Sequence, residues 1–364
     1  MKIKLLSKSL IPFKYSTALP NCFTVELMVH ALEFHNSSNS DIKIKEISLT
    51  LVRGKNRVHT QYLTQGILKE EIRKFSTQIN KSIKHFPPSV EIWLSRSAKT
   101  LNPVMTTTSL RPSSRVVIGN QFLSLRNIMP TKLVVEVLYA EGSKNKTVSR
   151  SFPLRERSLK NSYCLPLRGT AWGLLGPTAG TSHHRQAASQ EFGYDFLLFD
   201  EKGKICKGKG LKNEDYFCFK KPILAPADGI VLVASDGMEE NQKLGDVPPL
   251  SKDKISKFGL LHALAGNIII IKHKNNEYSF LAHCAYNSIK VKIGDKVKKG
   301  QRLALLGNTG NSTAPHLHYH LMDGPDFLVS RSLPITFDNI KPYPWSEEEV
   351  FQFWDVRDPM VTTN

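Results

Sequence analysis

The chain has 364 residues, 40% of them apolar, which is enough for two or three domains with real hydrophobic cores. A balance of 50 Lys and Arg against 32 Asp and Glu gives a formal charge of +18. That charge points to an acidic partner such as an anionic surface or polymer, and the absence of a zinc-finger or RNP-type pattern argues against nucleic acid. No apolar run approaches the ~18 residues of a membrane span, and scattered cysteines without a CxxC pair argue against a cysteine-built zinc site.

The segment Met1 to Phe13 carries lysines and a few leucines, but its apolar stretch is too short and interrupted for a signal peptide. Residues 1–160 read as mostly β. Cys22 to Phe34 is apolar and partly alternating, Asp41 to Val52 alternates almost strictly, and Leu133 to Tyr139 is a further strand. Asn36–Ser40 and Ser113–Ser114 punctuate as loops, and Gln65 to Ile79 holds one short helix. The spacing predicts a β-sandwich-like accessory domain of immunoglobulin-like size. Its histidines His30, His35, His59 and His85 are isolated and read as structural or solvated.

A linker around Arg155 to Cys164 leads into a second domain over 165–335. Leu165 to Thr181, rich in Gly, Pro and Thr, reads as an extended loop or rim. Phe192 to Phe199 is a buried strand carrying one acid, Asp195, which is costly to bury unpaired; a metal ion, a salt bridge or a turn hydrogen bond would each compensate it. Pro222 to Ala234 reads as strand, turn, strand, with Asp228-Gly229 a strong hairpin signal. Residues 236–262 are polar and irregular and look like an insertion at the rim. Gly266 to His273 pairs with Glu277 to Cys284 as a hairpin. Lys290 to Gln301 holds two glycine turns, and Arg302 to Leu306 is a last strand before a glycine-rich turn. Residues 336–364 form a C-terminal extension, with a short helix over Glu347–Trp354. Cys206 and Cys218 are spaced for a disulfide across a short hairpin but are read as free.

The stretch Gly307 to His320 organises the chemistry. A turn of Gly, Asn, Thr and Ser precedes three histidines at alternate positions, His316, His318 and His320. On a strand these share one face, with Leu317 and Tyr319 on the other. Zinc in hydrolases takes three His or carboxylate ligands and keeps a fourth position for water. The candidates are His184 with Asp195, and one or two of His316 and His318. His283, near a strand end, suits a general base or a residue that orients a ligand. His320 would lie ~13 Å from His316 along the strand, out of reach of the same ion, and is read as orienting a neighbouring ligand or lining the groove.

In order along the chain come His184 with Asp195, Ala225-Pro-Ala-Asp-Gly-Ile-Val, Gly266-Asn, Leu281-Ala-His, Gly294-Asp-Lys-Val-Lys-Lys-Gly-Gln, Gly307-Asn-Thr-Gly-Asn-Ser and Pro315-His-Leu-His. This set, over about residues 165–335, resembles the lysostaphin-type (LytM-type) zinc metalloendopeptidases, which cut peptides in bacterial cell walls. The resemblance implies a small, mainly antiparallel β domain (a duplicated hybrid motif) with its site in a groove. It implies Zn2+ bound by His184, Asp195 and His318, with His283 and His316 acting on the attacking water and the transition state. It further implies a peptidoglycan stem peptide or cross-bridge as substrate and a cell-envelope or secreted location; an anionic wall polymer is a partner the charge permits. Ten residues separate His184 from Asp195, against three in the commonest family pattern, so His183 stays a rival ligand. Cys284, next to His283, would face away from it on a strand, which disfavours a Cys-His protease. The alternative function is a non-catalytic wall-binding or regulatory protein of the same fold.

Overall fold

A computed structural model describes residues 1–16, 21–169, 172–177, 182–246, 250, 252–342 and 361–363. The chain is mainly β and divides into two units, Met1–Arg157 with Ala179–Ser189, and Ser158–Thr178 with Gln190–Asn364.

In the first unit, long strands rich in β-branched and aliphatic residues build two antiparallel sheets. One joins Lys2–Leu5, Phe23–His35, Phe13–Ser16 and Arg115–Arg126; the other joins Asn56–Thr64, Ile42–Arg53, Lys132–Glu141 and Lys144–Pro153, with Ser109–Leu110 at its edge. Leu27, Val29 and Leu32 of the first and Ile47, Leu49, Val135 and Val137 of the second share one core. The helix starting at Gln65 is not short: it runs to His85, burying Leu68, Ile72, Phe75 and Ile79 at helical spacing. Apolar periodicity fades after Ile79, but nothing breaks the helix before Pro87 and Pro88, which open a second helix, Pro87–Leu94. Gly119 is where these helices meet the sheet, since a Cβ there would lie 2.5 Å from the Trp93 ring and 2.7 Å from the His30 carbonyl. His30 is buried with Nε2 3.1 Å from the Arg185 carbonyl, whereas His59 and His85 are exposed.

The second unit carries one long antiparallel sheet, in the order Lys296–Val297, Gly229–Ser235, Asn267–Lys272, Tyr278–Cys284, Leu317–Met322, Tyr194–Leu198, Trp172–Leu175, Val361–Thr363 and Ile340–Pro342. Its apolar face draws Ile269, Ile271, Leu281, Leu317, Tyr319, Leu321 and Phe196 into a single core. Pleating then sends His318 and His320 to the opposite face.

Three features of this unit differ from the sequence reading. The stretch from Leu165 is not loop throughout, because Trp172–Leu175 pairs with Tyr194–Leu198. Asp228-Gly229 does not close a hairpin. Pro222–Leu224 pairs with Arg302–Leu305, while Gly229–Ser235 pairs with Asn267–Lys272 and Lys296–Val297. Gly229 serves close packing instead, for a Cβ there would stand 2.5 Å from Ile271 Cγ2 and 2.7 Å from the Lys272 carbonyl. The stretch 236–262 is not wholly irregular: it contains the helix Lys252–Phe258 and the first half of Leu260–Ala265. The glycine turns at Gly294 and Gly300 both take positive φ. All five cysteines are free thiols. The helix expected over 347–354 lies outside the described residues.

Candidate functional site

The site grows from the pairing of two strands. Asp195 on Tyr194–Leu198 is the direct cross-strand partner of His318 on Leu317–Met322, and His318 is also opposite Ala282 on Tyr278–Cys284. The Asp195 carboxylate accepts a hydrogen bond from His318 Nδ1 at 3.0 Å and lies 3.6 Å from His316 Nε2. Both histidines and the acid are largely withdrawn from solvent, their side chains being 6%, 15% and 10% exposed for His318, His316 and Asp195. The ring of His283 stands 4.6 Å from that of His316 and 6.2 Å from that of His318. The structure therefore gathers Asp195, His283, His316 and His318 on the face of the sheet away from the core.

His283 reaches this face by a break in its strand. Between Asn267 and Ile269 the register with Tyr278–Cys284 slips by a bulge, and His283 has φ of +61°. A non-glycine residue rarely adopts this backbone, and such outliers gather at functional sites. The bulge sends Cys284 into the core, where burial pushes its thiol pKa well up. A thiolate nucleophile is therefore disfavoured at Cys284.

Backbone carbonyls fix the ring nitrogens. His283 Nδ1 lies 2.7 Å from the Thr309 carbonyl and His316 Nδ1 lies 2.8 Å from the Ala314 carbonyl. A carbonyl only accepts, so each Nδ1 carries a proton, and in the neutral ring Nε2 then carries the lone pair. Burial holds the His283 pKa well below the usual histidine range, and the neighbouring His316 and His318 push the same way. His283 is therefore a neutral imidazole at neutral pH.

His320 is fully buried, with Nδ1 2.9 Å from His318 Nε2 and its ring 4.9 Å from that of Phe280. His184 is buried and His183 exposed in the one-turn helix His183–Gln186, on the segment that groups with the first unit.

Residues that sequence reading left without a role also belong to the site. Thr309 acts through its carbonyl, which the side chain does not announce. Asn267 and Glu240 act through backbone groups distant in sequence.

The donor set suits a metal ion. Two donors each ~2.1 Å from one tetrahedral ion stand about 3.4 Å apart. The separation of 3.0 Å between Asp195 Oδ1 and His318 Nδ1 is close to that value. A nearly buried carboxylate facing imidazole nitrogens is also a natural cation site.

Residues 212–327 match the family model described as Peptidase family M23. The chain carries an M23 domain of the lysostaphin type. Over 61 residues the chain is 48% identical to the peptidoglycan DD-endopeptidase ShyA of Vibrio cholerae, a match covering 17% of this chain and 14% of ShyA. Over 78 residues the chain is 40% identical to lysostaphin of Staphylococcus simulans, covering 21% of this chain and 15% of lysostaphin. The chain thus spans well under two thirds of the length of these relatives. Among solved structures, a zinc-containing peptidase from Vibrio cholerae aligns over 89% of this chain and 86% of its own, at 14% identity and a TM-score of 0.27. Among the described residues, no helix is long and apolar enough to cross a membrane.

Proposed function

We propose that this protein is a zinc-dependent endopeptidase that hydrolyses peptide bonds in bacterial peptidoglycan, in stem peptides or cross-bridges. The observation that carries the reading is the convergence of Asp195, His283, His316 and His318 on one face of the M23 domain's sheet. In this reading His184, Asp195 and His318 hold the metal; His184 enters from the family resemblance. Bound zinc would supply a water of pKa ~7 and polarise the scissile carbonyl.

The chain's own residues do the rest. The Thr309 and Ala314 carbonyls hold Nδ1 of His283 and His316, which leaves both Nε2 atoms for proton transfer. One of them takes the proton of the attacking water at Nε2 and returns it to the departing amine. The other stabilises charge on the tetrahedral oxygen by donating from a protonated Nε2. His320, against His318 Nε2, orients the ligand ring. No nucleophilic side chain is needed, in keeping with a Cys284 thiol turned into the core.

The test joins metal analysis to wall digestion. Purified protein should contain about one zinc per chain, and should release soluble muropeptides from purified peptidoglycan in a way that a chelator abolishes and zinc restores. Zinc-loaded protein that binds peptidoglycan but releases nothing would favour the non-catalytic wall-binding reading.

A further inference from the structure

The segment after the Gly229–Ser235 strand, read from sequence as a rim insertion, is tied into the catalytic face. Its helix Leu260–Ala265 carries His262, which is buried. His262 Nδ1 lies 3.0 Å from the Ser235 hydroxyl and Nε2 lies 3.0 Å from Asn267 Oδ1. An amide oxygen only accepts, so His262 Nε2 donates and Nδ1 accepts from the serine.

Asn267 is fully buried and its side chain uses its whole bonding capacity. Oδ1 accepts from His262 Nε2 and from the Met238 N–H at 2.9 Å; Nδ2 donates to the Met238 carbonyl at 2.8 Å and the Cys284 carbonyl at 3.1 Å. The Cys284 carbonyl also accepts from Thr309 Oγ1 at 3.0 Å, and that same Oγ1 accepts from the Asn267 N–H at 2.9 Å. The Cys284 carbonyl, one residue beyond the left-handed His283, is thus held from two sides. Thr309, held by this network, is the residue whose carbonyl fixes His283 Nδ1.

Steric contacts say the same. A Cβ on Gly266 would stand 2.2 Å from Thr309 Oγ1, and one on Gly310 would stand 2.2 Å from the Gly266 nitrogen. Two glycines with positive φ let the 307–313 turn press against the start of the Asn267–Lys272 strand. Glu240 tightens it from the other end by accepting from the Asn308 N–H at 2.5 Å and the Tyr286 N–H at 3.0 Å.

We propose that Asn267, itself held by His262, is a positioning residue for His283. It fixes the left-handed backbone at 283 and the Thr309 carbonyl, and so keeps the imidazole in one orientation and one tautomer, with Nδ1 protonated and Nε2 bare. A left-handed backbone is costly for a non-glycine residue and persists only where its surroundings over-determine it; the Asn267 network supplies that determination. The catalytic consequence rests on the peptidase reading, while the geometric one does not.

The experiment separates the two. Full-length metal-free protein labelled with 15N at histidine reports the His283 tautomer and the exchange rate of its Nδ1–H by NMR. Wild type should show one tautomer with a slowly exchanging Nδ1–H. Asn267→Ala and His262→Leu should show mixed tautomers and faster exchange at His283, while His262→Gln, whose amide restores a donor toward Asn267 Oδ1, should resemble wild type. With zinc restored and soluble cross-linked muropeptides as the probe, the two disruptive variants should lose about 10–100-fold in kcat with KM little changed. Near-UV circular dichroism shows which variants fold, and His262→Leu decides if Asn267→Ala does not. Folded variants that keep a single, slowly exchanging His283 tautomer overturn the proposal. If the tautomer is lost as expected but no protein, wild type included, cleaves muropeptides, the positioning role stands and the peptidase reading falls.

Discussion

Asp195 and His318 face each other across two neighbouring antiparallel strands, and the Asp195 carboxylate accepts from His318 Nδ1 at 3.0 Å. Cross-strand partners are held by the backbone ladder, so this pair of donors is preset before any ion arrives. In the proposed ligand set, His318→Ala and Asp195→Ala should each purify with little zinc. Elemental analysis after dialysis checks this. Stoichiometric zinc at wild-type affinity in His318→Ala would show the ligand set to be wrong.

His283→Ala and His316→Ala should retain zinc and lose about 10²–10⁴-fold in peptidoglycan hydrolysis, the usual worth of a general acid or base. Both rings have Nδ1 bonded to a backbone carbonyl, which leaves Nε2 for the proton transfer. Metal loss from either variant comparable to that of His318→Ala would move that residue among the ligands.

His320→Gln should leave zinc content near normal and lower activity modestly, because an amide can still bond His318 Nε2 across the 2.9 Å now spanned by the imidazole. His320→Leu removes the bond and should weaken zinc affinity by about 10–100-fold. Competition against a fluorescent zinc chelator measures both. Equal affinity in the Leu variant would sink the orienting role.

The strand that carries Asp195 is anchored by a buried ion pair between Arg331 and Glu191, both wholly shielded from solvent, with the guanidinium 5.5 Å over the Phe192 ring. Removing one partner takes away the opposite charge that compensates the other in the interior. Glu191→Gln should therefore destabilise the domain by about 3–5 kcal/mol, read by denaturant unfolding. Asp246→Asn, which breaks the exposed pair with Lys243, should leave the unfolding midpoint unchanged.

His273 is buried, its Nδ1 donating to the Asp228 carbonyl at 2.8 Å and its Nε2 accepting from the Ser279 hydroxyl at 2.7 Å. Burial pushes its pKa below the usual histidine value, outweighing the Asp228 carbonyl and Glu277, which pull the other way. The unfolded chain takes up this proton near pH 6.5, so below that pH the unfolded state binds more protons and stability falls. The loss runs from about pH 6.5 down through the depressed folded value. His262 and His283 are depressed too and act in the same direction. In metal-free protein, the stability advantage of wild type over His273→Asn should be largest above pH 7 and shrink as pH falls. Parallel stability–pH curves for the two proteins would contradict this.

Sequence alone determined what depends on local period. Alternation marked the Ile42–Arg53 strand, and the His-x-His spacing put His318 and His320 on one face with Leu317 and Tyr319 on the other. The turns at Gly294 and Gly300 were legible because a positive φ selects glycine. The tertiary structure decided the rest. Asp228-Gly229 reads locally as a hairpin, yet the strand on either side of it finds its partner elsewhere, and Gly229 is set by contact with Ile271 and Lys272. The helix from Gln65 outlasts its apolar stripe because helices propagate cheaply once formed and end where proline stops them. Most of all, His283 reaches the site through a bulge and a left-handed backbone, and its proton is fixed by the carbonyl of Thr309, 26 residues away. A side-chain pattern has period and spacing to reveal which residues share a face; a backbone carbonyl is the same at every residue, so only the folded chain says which one meets the ring.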